Sequence, residues 1–432
     1  MPRPWYRKLL ENRWLGGLLI ALLGGLIILT AKQYQKIEAA GSAGQERRGS
    51  MLVADKSVTD TRILNDYEDF YVVGRLYREG DILAAYRNDY LMAAQKRFTG
   101  AQTFMPWAYP PQITALVPLL PKLGLGLSYL LFAGGTLALF FAVLSRFGAN
   151  HAGAGLLAVF PALVLNARLG QNGFLTAALI GLFLLVFRKR NDAAGIPLGL
   201  MVIKPHLGVA IGLLALLDRR WKVLAIAIAV VVITSLGATL VLGVGVWPAF
   251  FGGVGDAGGY LRAGLYPLYR MSSVYAGVRS FDLPANSAFV VHIAVALVVL
   301  VLVTAAFLRR WPANRLMALA AVATVFISPY NYDYDYAVLA IAVSLVLPEL
   351  LDRIRFAELA AFYALCWIGS GAGLAQHFHA VLLARTTEHP HGSSLNWSFQ
   401  AIGVIAASAL AAFVLRRTPT EVPSMRAEPR GV

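Results

Sequence analysis

The chain has one cysteine, Cys366, among 432 residues. It therefore builds no disulfide framework and no cysteine-based metal site. Cys366 lies inside an apolar run, where a thiol is expected to act as a small packing group. Charge is scarce too: 14% of residues are charged and 58% hydrophobic, with only 23 acids. That balance excludes a set of soluble domains. No glycine-rich phosphate loop marks a nucleotide site, and neither an HExxH pattern nor paired Cys/His spacing supports a metal centre at His206 or at His377 and His379. Asp and Glu are absent from the middle of the apolar runs, and no inverted repeat is visible. A transporter or flippase, the rival from another class, would carry coupling carboxylates and matched broken helices there.

What is present is a succession of apolar runs, at about residues 14–31, 125–145, 152–166, 173–187, 195–203, 206–217, 223–245, 286–308, 315–329, 336–351, 356–375 and 398–415. They predict an all-α, polytopic integral membrane protein with about twelve transmembrane helices, two of them short. The first run follows Arg3, Arg7, Lys8 and Arg13 and reads as an uncleaved anchor with a cytoplasmic amino terminus. The net charge of +15 is spread over clusters such as Arg188/Lys189/Arg190, Arg219/Arg220/Lys222, Arg309/Arg310, Arg353/Arg355 and Arg416/Arg417. All fall on one side of the alternation, as cytoplasmic loops require, so no nucleic-acid partner is expected and the carboxyl terminus is placed in the cytoplasm. Residues 195–217 are too short for two full spans and read as two short tilted helices meeting at Lys204 and Pro205.

The acids favour the opposite face. "NDYEDFYVVGRLYRE" (65–79) carries Asp66, Glu68, Asp69 and Glu79 beside aromatics, after a small, polar stretch (38–60) read as mobile. From Ile63 onward the spacing predicts an amphipathic helix lying at the membrane surface. A half-shielded carboxylate there can act as a general base; the plainer alternative is that Asp66 and Asp69 solvate the helix edge. At Tyr109-Pro110-Pro111 the chain is expected to turn and re-enter the apolar layer as a short helix ending near Pro121, unless this is only a structural turn. Gln171 and Asn172 can hydrogen-bond sugar hydroxyls or cap helices. Lys204 suits a phosphate or snorkels to headgroups. Asn331, Asp333 and Asp335, set among tyrosines in "SPYNYDYDY" (328–336), read as a carbohydrate-binding rim or as part of an interfacial belt.

In order, "EDFYVVGRLYREG", "AYPP", "RLGQNG", "MVIKPHLG" and "ISPYNYDYDYAVL" resemble the polytopic glycosyltransferases of family 87, members of the GT-C fold class, over roughly residues 60–350. The resemblance implies inverting transfer of a mannose- or pentose-like sugar from a polyprenyl-phosphate donor to a hydroxyl of a glycolipid or glycan. It places Asp69 as the general base and matches Tyr109, Pro110, Pro111, Gly170, Gln171, Asn172 and Lys204 to the family's elements. For the departing phosphate, charge points to Lys204 with Arg262, Arg270 and Arg279; Asp66, Tyr109, Gln171, Asn172, His206, Asn331, Asp333 and Asp335 are the expected substrate contacts. Tyr332 to Asp335 stand where characterised members carry histidines. No cofactor or metal is expected beyond the lipid-linked donor, and the chain is expected to be a monomer among membrane lipids. The expected division is a cytoplasmic amino terminus (1–13), a GT-C-like catalytic core (14–217) with the outer loop 32–124, a variable half (218–417) with outer loops 246–285 and 376–397, and a disordered tail (418–432). The expected location is a bacterial inner membrane, with the active site on the extracytoplasmic face.

Overall fold

The computed structural model describes residues 4–50, 65–148, 150–386 and 397–418, with side chains left out at 40–50, 377 and 380–386. Among them the chain is helical apart from turns and one isolated antiparallel bridge, Met271 to Tyr332. It is an all-α, polytopic membrane protein. Six helices are long and apolar enough to cross a bilayer: Arg13–Ala39, Leu125–Leu144, Trp221–Leu242, Ala285–Leu308, Asp333–Leu351 and Phe356–Gln376. Ala152–Ala158 and Phe160–Leu169, bent by 78°, add a seventh if taken as one broken span. Pro161, at the second position of the latter helix, suits a start after such a break.

The other apolar runs form shorter helices, Gly173–Arg188, Asp192–Ile203, Pro205–Leu217, Ala313–Thr324 and Gln400–Val414. Hydropathy counts apolar residues, whereas length and packing decide whether a helix reaches across the layer. The Asp333–Leu351 span is 83% buried against 17% for Trp221–Leu242 and Ala285–Leu308, so the first runs through the protein core and the other two face lipid.

Two expectations need correction. The first span does not end at residue 31: the helix runs Arg13–Ser50, because the Ala-, Lys-, Gln- and Glu-rich stretch after it favours continuation. Part of the stretch read as mobile is thus helical, and residues 51–64 lie outside the described residues, as do 387–396 of the last outer loop and 419–432 of the tail. The Asp66–Arg78 helix forms as the spacing predicts but does not lie half-exposed on the surface. Tyr67, Glu68, Asp69, Phe70, Val72, Val73 and Gly74 are all buried. Gly74 permits this, since a Cβ there would stand 2.4 Å from the Val117 carbonyl oxygen.

One end of the molecule gathers the basic clusters in ion pairs. Arg7 meets Asp352 (2.8 Å), Arg417 meets Glu358 (2.7 Å) and Arg353 meets Glu349 (3.1 Å), while Arg220 pairs with Asp192 (2.9 Å). The acidic helix and the "DYDY" segment sit away from these pairs, with the partners described next.

Candidate active site

The Asp66–Arg78 helix starts with a capping box: Glu68 accepts from the Asn65 backbone N–H (3.0 Å), and the Asn65 side chain accepts from the N–H of Glu68. Glu68 is thereby a structural carboxylate. Asp66 and Asp69, three residues apart, share one face. Phe70 packs against Tyr109 (4.9 Å between ring centroids) and Trp107 (5.2 Å), joining this helix to the Tyr109-Pro110-Pro111 turn. After the turn the chain forms a short helix Pro111–Thr114 with proline at its first position, which ends well before Pro121, and a 3-10 turn Val117–Lys122.

Tyr109 points back into the site. Its hydroxyl donates to Gln171 Oε1 (2.9 Å), and Gln171 Nε2 donates to Asp66 Oδ2 (3.0 Å). Local backbone puts Gln171 there. The Phe160–Leu169 helix ends at Gly170, whose φ of +67° is left-handed, and Gly173 abuts the next segment so closely that a Cβ would lie 2.2 Å from the Tyr334 carbonyl. Asn172, fully buried, has no side-chain partner among the described residues.

The "DYDY" segment is a 3-10 helix, Asp333–Val338, at the head of the most buried span. It is tied to the Arg270 segment by the Met271–Tyr332 bridge, by the Ser272 N–H donating to the Asn331 carbonyl (2.8 Å), by Asn331 Nδ2 donating to Ser272 Oγ (2.7 Å) and by Tyr336 donating to the Ser272 carbonyl (2.9 Å). This brings Arg270 to 3.7 Å from both Asp66 and Asp333. Lys204 sits between two short helices in a non-helical conformation, as a residue before proline prefers, and donates to Asp335 Oδ1 at 2.7 Å. Its ammonium also lies 4.8 Å from the Tyr334 ring. His206, one residue past the proline, leaves Nε2 buried and unpartnered among the described residues.

Asp69 differs from its neighbours. It is 5% exposed and its hydrogen-bond donor is neutral, Gln95 Nε2 to Asp69 Oδ1 at 2.7 Å. Burial, with Asp66 and Glu68 adding to it, pushes the Asp69 carboxyl up to about 7, against the opposing pull of Gln95. The Tyr109 hydroxyl is raised as well, first by burial and then by the nearby charges of Asp66, Asp335 and Asp69. Of these carboxylates, Asp66 is linked to Tyr109 through Gln171.

Arg262 and Arg279 are not drawn in. Arg262 is exposed, with its guanidinium 6.0 Å from the Phe289 ring, and Arg279 donates to the Leu283 carbonyl (2.7 Å). Gln95 was not anticipated from sequence; it is buried beside Leu91 and Ala94 on one face of its helix. Among the described residues no three His, Cys, Asp or Glu side chains converge as metal ligands; the side chain of His377 lies outside them.

A buried array of carboxylates and cations beside a proline turn fits the family suggested by motif order, and comparison decides the point. The family model described as glycosyltransferase family 87 matches residues 107–329, just over half of the chain. The chain belongs to glycosyltransferase family 87. This membrane glycosyltransferase has no match among curated proteins or solved structures. Tyr109, Gln171, Asn172, Lys204 and Arg270 fall inside the matched residues; Asp66, Asp333 and Asp335 fall outside and are joined to them by contact, while Asp69 and Asn331, also outside, bond to Gln95 and to Ser272. Membership favours transfer over the transporter alternative.

Proposed function

We propose that this glycosyltransferase moves a mannose- or pentose-like sugar from a polyprenyl-phosphate donor to a hydroxyl of a glycolipid or glycan, with inversion, on the extracytoplasmic face of a bacterial inner membrane. The acceptor oxygen bonds to the anomeric carbon as that carbon's bond to the phosphate oxygen breaks. The bonding pair leaves with the phosphate, and the acceptor proton passes to Asp69. The observation that carries this reading is the contrast between two carboxylates on one helix face. Asp66 is held by Gln171 and faces the Arg270 guanidinium, both at Oδ2, so it is already engaged. Asp69 meets only a neutral amide donor and is raised to about 7, the range in which a base is effective near neutral pH.

Lys204 and Arg270 are the cations within reach for the phosphate, and both already face carboxylates. The donor phosphate therefore competes with Asp335 for Lys204, so binding loosens that pair. Gln171, Tyr109, Asn172 and Asn331 supply donors and acceptors for sugar hydroxyls, and the exposed Leu116, Leu119 and Leu123 beside the proline turn offer an apolar path for the prenyl chain. No cofactor is assigned a role.

The test is Asp69→Asn in proteoliposomes, supplied with polyprenyl-phosphate mannose or polyprenyl-phosphate arabinofuranose and extracted membrane glycolipid. Loss of the base is expected to slow transfer by about a hundred- to ten-thousand-fold. Wild-type turnover by the variant would remove Asp69 from the mechanism. Sugar-lipid translocation without transfer would favour the flippase.

A further inference from the structure

We infer that Gln95 is a positioning residue for Asp69, fixing which carboxylate oxygen is presented to the acceptor and supplying the neutral donor that its charged form needs. This rests on the reading of Asp69 as the base.

Gln95 is fully buried in the last turn of the Asn88–Thr99 helix. Its neighbours on that face, Leu91 and Ala94, are apolar, so packing alone gives no reason for an amide. Both ends of the amide are engaged. Nε2 donates to Asp69 Oδ1 (2.7 Å), and Oε1 accepts the Thr103 backbone N–H (2.9 Å). A backbone N–H can only donate, so Oε1 must face it and Nε2 must face the carboxylate. The helix ends at Gly100, whose left-handed φ of +80° turns the chain back, and the Thr99 hydroxyl donates to the Gln95 carbonyl (2.7 Å). The amide is thus held by its own helix and by the returning chain. With Oδ1 occupied, Oδ2 is the oxygen left for a hydroxyl proton.

The neutrality of this donor matters. A guanidinium at this place would stabilise the ionised form of Asp69 and weaken it as a base. An apolar residue would leave burial unopposed and keep the proton on Asp69. The charged and titratable groups facing Asp69 are Asp66 and Glu68 from its own helix and Tyr109 from the proline turn. None supplies a cation, so Gln95 is the stabilising donor among them.

The experiment uses the full chain in detergent. The infrared carbonyl stretch of protonated Asp69, identified by its absence in Asp69→Asn, is followed from acid to alkaline pH in wild type, Gln95→Leu and Gln95→Glu. Losing a hydrogen bond to a charged group is expected to move the midpoint up by about one to two pH units in Gln95→Leu. Gln95→Glu keeps the shape, guards against misfolding, and is expected to shift the midpoint the same way through a second carboxyl. The acid limb of the transfer rate moves with the midpoint, and activity recovers at high pH. An unmoved midpoint with an equal rate loss at every pH overturns the inference. Retained transfer by Asp69→Asn defeats the base assignment instead, while the midpoint still reports on the Gln95 contact.

Discussion

Replacing Asp69 by Asn separates the stability of this protein from its activity, and pH is the variable that does so. The Asp69 carboxyl is raised from 3.8 to about 7 by burial. The folded chain then holds that proton more tightly than the unfolded chain, so between pH about 4 and about 7 the unfolded state releases it first and stability falls as pH rises. Above about pH 7 the full penalty is present: roughly three units at about 1.36 kcal/mol each, or about 4 kcal/mol. Asparagine keeps an oxygen that can accept from Gln95 and never ionises, so it carries no such penalty. Asp69→Asn is expected to gain on wild type by about 3 kcal/mol between about pH 5 and about pH 8, the two units of that range in which wild type still titrates. Thermal unfolding of both proteins in the same detergent, followed by tryptophan fluorescence at the two pH values, reads the difference, and groups common to both cancel. A stability difference that does not change with pH would refute the claim that Asp69 is forced to ionise against its burial. A gain in stability with loss of transfer is the signature of a carboxylate retained for chemistry.

Three more outcomes follow from the geometry. Lys204→Gln leaves Asp335, whose side chain is 1% exposed, charged without its partner; unfolding in detergent should show a loss of about 3–5 kcal/mol, largely recovered by adding Asp335→Asn. Gly170→Ala forces a Cβ to within 2.7 Å of Tyr67 Cβ at a φ of +67°, and is expected to lower stability by about 1–3 kcal/mol and reduce turnover by displacing Gln171. Arg270→Ala, which leaves Asp66 and Asp333 without a cation, should raise the donor KM by about tenfold or more, whereas exposed Arg262→Ala should leave it within about twofold.

The membrane class, the broken 195–217 segment, the proline turn and the acidic helix were all legible, because each depends on local composition or on proline, whose effect is the same wherever it occurs. The convergence of Asp66, Gln171, Arg270 and Asp333 was legible only in part. Motif order pointed to most of these residues, but among the three arginines of residues 260–279 nothing local distinguishes Arg270. That choice is made by the backbone bridge between Met271 and Tyr332, a pairing of distant segments. Gln95 was missed because a single amide on an apolar helix face carries no pattern until its partner is known. Where each helix ends was legible only in part, since hydropathy measures the solvent a segment tolerates and not how far it reaches.

The Asp66–Arg270 contact also sets a schedule for making the protein. Asp66 enters the membrane boundary early in synthesis, Gln171 follows about a hundred residues later and Arg270 about two hundred, which at roughly 5–20 residues per second leaves the carboxylate without its cation for on the order of ten to forty seconds. Throughout that interval the acidic helix has to stay at a watery boundary instead of its final buried place. The Asp66 contact therefore forms late, when the "DYDY" segment arrives beside Arg270, and a chain stopped before that point carries Asp66 without the cation it faces in the folded protein.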